Sequence, residues 1–65
     1  MVFKKLRLIG RSDENFEGAV EDAIGRAEET MDDLQWATVT DQSVQLDRAQ
    51  PEYQAEVEIA FELRE

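Results

Sequence analysis

Trp36 is the only tryptophan in this 65-residue sequence, and with Gln54 it forms the pair of side chains best suited to hold a small molecule. An indole offers a flat apolar face on which another aromatic ring can stack. A glutamine amide offers both a hydrogen-bond donor and an acceptor, which suits the edge of a planar heterocycle. Thr38 and Gln45 lie near them in the strand pattern and add further polar groups.

Two interpretations of these residues remain open. In the first, Trp36 is a stacking platform for a flat ligand, and Gln54 meets the imide-like edge of a flavin or a purine. In the second, the same indole fills a protein–protein interface, and the domain is a structural or interaction module without a small ligand. Composition and periodicity do not choose between them.

The side chains that usually perform catalysis are missing. The sequence contains no cysteine and no histidine, which removes thiol or imidazole catalysis, disulfides and the usual zinc ligands. Gly10 is not followed by the spacing of a phosphate-binding loop, and no calcium-loop pattern occurs. Glu56 and Glu58 could form a carboxylate pair, but nothing else indicates a substrate cleft. We therefore expect no enzyme, no catalytic residue and no metal site; a flavin-dependent reductase is the least favoured alternative.

Size and charge limit the partners. Seven basic and 16 acidic residues give a net charge of −9, which repels nucleic acids and anionic membranes. No apolar run is long enough to span a membrane and the N-terminus lacks a signal-peptide core, so we expect a cytoplasmic protein.

Residues 1–65 make one domain, which as a short chain buries only roughly 60% of its unfolded surface. Self-association is therefore expected.

The pattern predicts one helix and three strands. Val2–Gly10 reads as a strand, Ser12 as the helix N-cap, and the apolar stripe after it as an amphipathic helix that ends near Thr30 or Met31. The stripe consists of Phe16, Ala19, Val20, Ala23, Ile24, Ala27 and Met31. Leu34–Leu46 reads as a second strand, long enough to contain a bulge, and Tyr53–Leu63 as a third with clean two-residue alternation.

This order predicts an α+β fold, β-α-β-β, with an antiparallel three-stranded sheet in the order 2-3-1 against the helix. Ala37 and Val39 are expected beneath the helix. Leu34, Trp36, Thr38 and Thr40 are expected on one common face, which the pleat turns away from the helix together with Gln54. On that free face Lys5 and Arg7 of the first strand should pair with glutamates of the third strand.

The sequence also resembles a known family, the dodecins. The similarity lies in Met1–Ser12, in Asp22–Thr30 of the helix, in Trp36–Gln42 and in Tyr53–Leu63. It covers nearly the whole chain in the same β-α-β-β order, and it is greatest to the acidic, salt-adapted members.

The resemblance implies a hollow homododecamer that stores and buffers flavins and protects against their photochemistry. Flavins would stack in pairs between symmetry-related copies of Trp36, with Gln54 bonded to the ring edge and Thr38, Asp41 and Gln45 lining the pocket and the ribityl chain. The implied ligands are riboflavin or FMN, with lumichrome and coenzyme A as further candidates. Riboflavin is favoured because the arginine that some bacterial members place near Gln45 is missing.

Overall fold

The computed structural model describes residues 1–64 as one helix packed against one sheet. The elements are β1 (Val2–Ser12), α1 (Phe16–Thr30), β2 (Leu34–Gln45) and β3 (Glu52–Leu63). Strand β3 lies between β1 and β2 and runs antiparallel to both. The predicted β-α-β-β fold and its strand order are therefore confirmed. Within the described residues, no helix is long and apolar enough to cross a membrane.

The core forms where the helix lies on the sheet. Ala19, Ala23 and Ala27 are buried on the side of α1 that faces Val57 and Ile59 of β3. Because alanine is small, the helix axis comes close to the sheet, and partly buried neighbours such as Leu8 and Ile24 close the edges. The predicted apolar stripe of the helix is confirmed.

Gly10 allows the helix to approach β1. A Cβ atom on Gly10 would lie 1.9 Å from the carbonyl oxygen of Ala19 and 2.7 Å from the backbone nitrogen of Ala23. No side chain fits in that space, so glycine is required by the close packing of the two elements.

The start of the helix differs from the prediction. Strand β1 continues to Ser12, two residues past the predicted end, because Ser12 still pairs with Tyr53. The N-cap is Asn15, whose Oδ1 accepts from the backbone N–H of Gly18 at 2.6 Å. The Ser12 hydroxyl instead accepts from the backbone N–H of Glu14 and shapes the turn before the cap. The prediction of Ser12 as the cap was wrong because the strand and the helix are separated by a turn.

Strand β2 contains two irregularities, as its length suggested. The first lies between Leu34 and Trp36, and the second between Val39 and Asp41. Leu34 pairs with Phe61 and packs against the core, whereas Trp36 pairs with Ala60. The prediction that Leu34 shares a face with Trp36 was therefore wrong, because the extra residue between them reverses the alternation.

The helix covers β1 and β3 but leaves β2 open. Ala37 pairs with Ile59 and Val39 with Val57, so both lie on the predicted side of the sheet. Both are nevertheless exposed, Val39 by 43%, because α1 barely contacts β2. The prediction that they lie beneath the helix was wrong in this respect. An edge strand with two uncovered faces is a surface that a second subunit can cover.

Candidate functional site

Trp36 lies on the face of the sheet that points away from the helix. It pairs with Ala60, and its ring meets the ring of Phe3 edge-on, with centroids 5.1 Å apart and an interplanar angle of 63°. The small side chain of Ala60 is fully buried on this face. Trp36 is still 45% exposed. The indole is thus held by an aromatic neighbour while much of its surface remains available for stacking.

The second bulge keeps polar residues of β2 on the face of Trp36. Thr38 pairs with Glu58, and Asp41 pairs with Glu56. Thr40 is the extra residue, and its hydroxyl lies 2.8 Å from the Glu56 carboxylate, to which it donates. In a regular strand that starts at Trp36, residue 41 would point to the helix side. The bulge therefore places Asp41 on the same face as Thr38.

Gln54 lies in a hydrogen-bonded group of three side chains. The Ser43 hydroxyl donates to Gln54 Oε1 at 3.1 Å, and Gln54 Nε2 donates to Gln45 Oε1 at 3.0 Å. Ser43 is the direct partner of Gln54 across β2 and β3. The structure thus brings Gln45 and Gln54 together and adds Ser43, which the sequence pattern alone does not identify.

An ion pair borders this group. The Arg11 guanidinium binds Glu52 through two hydrogen bonds, from Nε at 2.8 Å and from Nη2 at 3.0 Å, and Arg48 lies 3.5 Å from the same carboxylate. The hydrogen bond from Arg11 holds the pKa of Glu52 below its usual 4.5, against the opposing effect of desolvation; the charges of Arg11 and Arg48 lower it further. Glu52 is opposite Gln45 in the register.

The predicted charge pairs on the free face are confirmed. Lys5 Nζ lies 3.3 Å from Glu58 Oε1, and Arg7 Nε lies 3.5 Å from Glu58 Oε2. One glutamate of β3 therefore balances two basic residues of β1. Both basic side chains are at least half exposed, so each pair contributes little to stability.

Trp36 and Gln54 share a face but do not meet within one chain. Trp36 pairs with Ala60, which is six residues from Gln54 along β3. At a rise of about 3.3 Å per residue, their backbones are roughly 20 Å apart. The candidate residues thus form two separate groups, Trp36 with Thr38 and Gln54 with Gln45, and Asp41 lies between them. A single planar ring can touch both groups only if they come from different subunits.

The hollows of one subunit do not enclose the indole. A hollow of about 150 Å³ borders Trp36, but Ile24 and Glu28 of the helix also line it, so it lies between α1 and β2. That volume is below the roughly 300 Å³ of ordinary ligand pockets. Wider hollows of about 640 Å³ lie around Glu52, at the Gln54 end of the sheet. In the described part of the chain, no group of three or more acidic residues is arranged to hold a metal ion.

Comparison with known proteins gives a consistent result. The dodecin family model matches residues 2–64. The dodecin of Thermus thermophilus is 37% identical over 65 residues, covering 98% of this chain and 94% of that protein. The calcium dodecin of Mycobacterium tuberculosis is 33% identical over 64 residues, covering 97% and 90%.

Solved structures show the same fold. The dodecin of Streptomyces coelicolor has a TM-score of 0.90 at 28% identity, with 98% of this chain and 93% of that chain covered. The family model and the two relatives each span nearly the full described chain, and the strand order and single helix agree with them. On these grounds the chain belongs to the dodecin family.

Proposed function

We propose that this protein binds and sequesters a flavin in a homododecamer, as a storage and photoprotective protein and not as an enzyme. The observation that carries the proposal is Trp36: a large indole, 45% exposed on a polar sheet face, held edge-on by Phe3. An exposed indole costs solubility unless a ligand or a partner covers it. Family membership supports self-association, and the resemblance to dodecins supports the flavin.

The separation of the site residues supports binding between subunits. Because the register partner of Trp36, Ala60, lies six residues from Gln54 along β3, one ring stacked on the indole cannot reach the amide of the same chain. The open faces of β2 provide the surface on which a second copy would pack. A stack between two indoles would also leave little room for a second substrate, which argues against a flavin-dependent reductase.

The charges on this face favour riboflavin over FMN. The basic side chains that share it, Lys5, Arg7 and Arg11, each lie within 3.5 Å of a glutamate carboxylate. Asp41 adds negative charge, and its carboxylate can accept hydrogen bonds from ribityl hydroxyls but repels a phosphate. Riboflavin, or its side-chain-free relative lumichrome, fits this balance better than the phosphorylated FMN. Coenzyme A carries phosphates too, and we propose it only as a secondary ligand.

The test is titration of flavin fluorescence with purified protein. Stacking on an indole, a good electron donor, should quench the fluorescence of riboflavin. Trp36→Ala should weaken binding roughly 10- to 100-fold, the range expected from loss of one aromatic stack. Gln54→Ala should weaken it less, about 3- to 10-fold, because only edge hydrogen bonds are lost. Leu46→Ala, which trims an exposed apolar side chain in the turn, is the control and should bind normally.

The same titration decides the alternative. If the protein assembles but leaves flavin fluorescence unchanged, Trp36 is an interface residue and the domain is a structural module. The relative from Mycobacterium tuberculosis is named a calcium dodecin. The same titration in the presence of calcium and of a chelator tests whether calcium affects flavin binding by this protein.

Salt adaptation and a cytoplasmic location are further parts of the proposal. With a net charge of −9 on each chain, subunits repel one another at low ionic strength. Assembly should therefore strengthen as salt is added, because screening shortens the range of that repulsion. The mass of the particle at low and at high salt is the measurement.

A further inference from the structure

We propose that Ser43 and Gln45 are positioning residues that hold the Gln54 amide in one orientation, so that it meets the imide edge of a bound flavin with its donor and acceptor in a fixed order. The inference rests on the proposed flavin binding for the identity of the ligand. The orientation of the Gln54 amide is inferred from its hydrogen bonds with Ser43 and Gln45 between β2 and β3.

The hydrogen bonds run in one direction across the two strands. A serine hydroxyl has one hydrogen, and Ser43 gives it to Gln54 Oε1. On its other side the Gln54 amide gives one of its two hydrogens to Gln45 Oε1. Rotation of the amide by 180° would turn its carbonyl oxygen toward the Gln45 carbonyl, and that bond would be lost unless Gln45 turned as well, while Ser43 would have to accept from the amide instead of donating to it.

The charge of Glu52 favours the same orientation. Glu52 is the register partner of Gln45, so a carboxylate lies on the side toward which the Gln54 NH₂ points. Because Arg11 anchors this carboxylate with two hydrogen bonds, the negative charge beside the amide is fixed in place. A flipped amide would present its oxygen to that charge.

The network leaves Gln54 able to bind a ligand. Its amide has two N–H donors and two acceptor lone pairs, of which Gln45 and Ser43 each use one. The remaining donor and acceptor match an N–H and one adjacent carbonyl of the flavin imide edge. A fixed order means that one of the two carbonyls beside that N–H is bound in preference to the other. Ser43 and Gln45 thus act on specificity together through Gln54, without needing to touch the ligand.

The experiment is a double-mutant cycle read by riboflavin affinity. Ser43→Ala should weaken binding roughly 3- to 10-fold, the range for one neutral hydrogen bond, and Ser43→Thr, which keeps the hydroxyl, should restore it. In a Gln54→Ala background, Ser43→Ala should have no further effect. Riboflavin methylated at the imide nitrogen cannot donate to Gln54 and should bind wild type and Ser43→Ala equally well. Equal losses from Ser43→Ala in both backgrounds would overturn the proposal.

A second measurement needs no ligand. In protein labelled with ¹⁵N-glutamine, the side-chain NH₂ signals of Gln54 should shift in Ser43→Ala and stay in place in Val44→Ala, which alters the neighbouring residue on the opposite face. Unshifted Gln54 signals in Ser43→Ala would refute the positioning role, whatever the flavin result. If the wild-type protein binds no flavin, the proposed function is wrong, and so is the proposed effect of Ser43 on flavin binding. The NH₂ signals of Gln54 then test separately whether Ser43 orients the amide.

Discussion

Trp36 and Gln54 project from the same face of the sheet, but Trp36 pairs with Ala60, six residues along β3 from Gln54. The two side chains that are best suited to a planar ligand therefore lie at opposite ends of one subunit. On the proposed function, a flavin site therefore requires Trp36 of one subunit and Gln54 of another.

Flavin binding should therefore depend on assembly. Val39 is 43% exposed on the part of β2 that the helix leaves open, and a charge there would be desolvated by any subunit packed on it. Val39→Lys should dissociate the particle and abolish riboflavin quenching, although Trp36 and Gln54 are unchanged. Glu21→Lys, on the exposed side of α1, adds a lysine and should leave both properties intact. Light scattering with fluorescence titration checks both; full quenching by a monomeric Val39→Lys protein would contradict the shared site.

Phe3 should matter for binding although the proposed ligand stacks on Trp36. Its ring holds the indole edge-on at 5.1 Å, and such a pair is worth about 0.5–1.5 kcal/mol beyond buried area. Phe3→Ala should free the indole and weaken riboflavin binding by roughly 3- to 10-fold. Phe3→Tyr, which keeps the ring, should bind nearly as wild type. The check is isothermal titration together with the fluorescence anisotropy of Trp36, which should fall in Phe3→Ala and not in Phe3→Tyr.

Two glycines should respond to alanine in opposite ways. Gly10→Ala forces a Cβ atom into the Ala19 carbonyl oxygen, so β1 and α1 must separate, at a cost of about 3 kcal/mol or more. Gly25 lies inside α1 with open space where a methyl group would be added, and Gly25→Ala should stabilise the helix by up to about 1 kcal/mol. Urea unfolding of both variants measures the difference. A destabilised Gly25→Ala protein would indicate that a neighbouring subunit packs closely on this turn.

The pairing of Arg11 with Glu52 should make stability depend on pH. The pKa of Glu52 is lower in the folded protein than its usual 4.5, so the pair stabilises the fold above that value and is lost as the pH falls through the folded pKa. Glu52→Gln should therefore lower the melting temperature at neutral pH, and its difference from wild type should shrink as the pH falls below 4.5. In an Arg11→Ala background the same substitution should have a smaller effect. A difference in melting temperature that stays constant with pH would contradict the assignment.

The fold was predictable because α1 and β3 each carry one apolar face. Val57 and Ile59 alternate with glutamates in β3, and the alanines of α1 recur at helical spacing, so both elements and their facing sides follow from periodicity alone. The extent of the helix over the sheet was not predictable. Whether α1 covers Val39 depends on the angle at which the alanine face of the helix packs on the sheet. No local sequence pattern determines that angle.

The site was less predictable than the fold. Between Thr38 and Gln45 both faces of β2 carry polar residues, so the alternation gives no sign of the extra residue at Thr40. The resemblance to the dodecins, and not the position in the strand pattern, therefore points to Asp41. The sequence pattern does not identify Ser43, because its contact with Gln54 depends on the register of β2 against β3, which the sequence alone does not give.

The extra residue at Thr40 also limits how this protein can be recombined with its relatives. Asp41 lies five positions after Trp36, an odd offset, and the two share a face only because the bulge at Thr40 adds one residue between them. Without the bulge, the same spacing would turn one of the two toward the helix. The spacing and the bulge therefore have to be inherited together. A chimera should take the stretch from Trp36 to Asp41 from a single parent, or exchange parents only where both place the bulge at the same position.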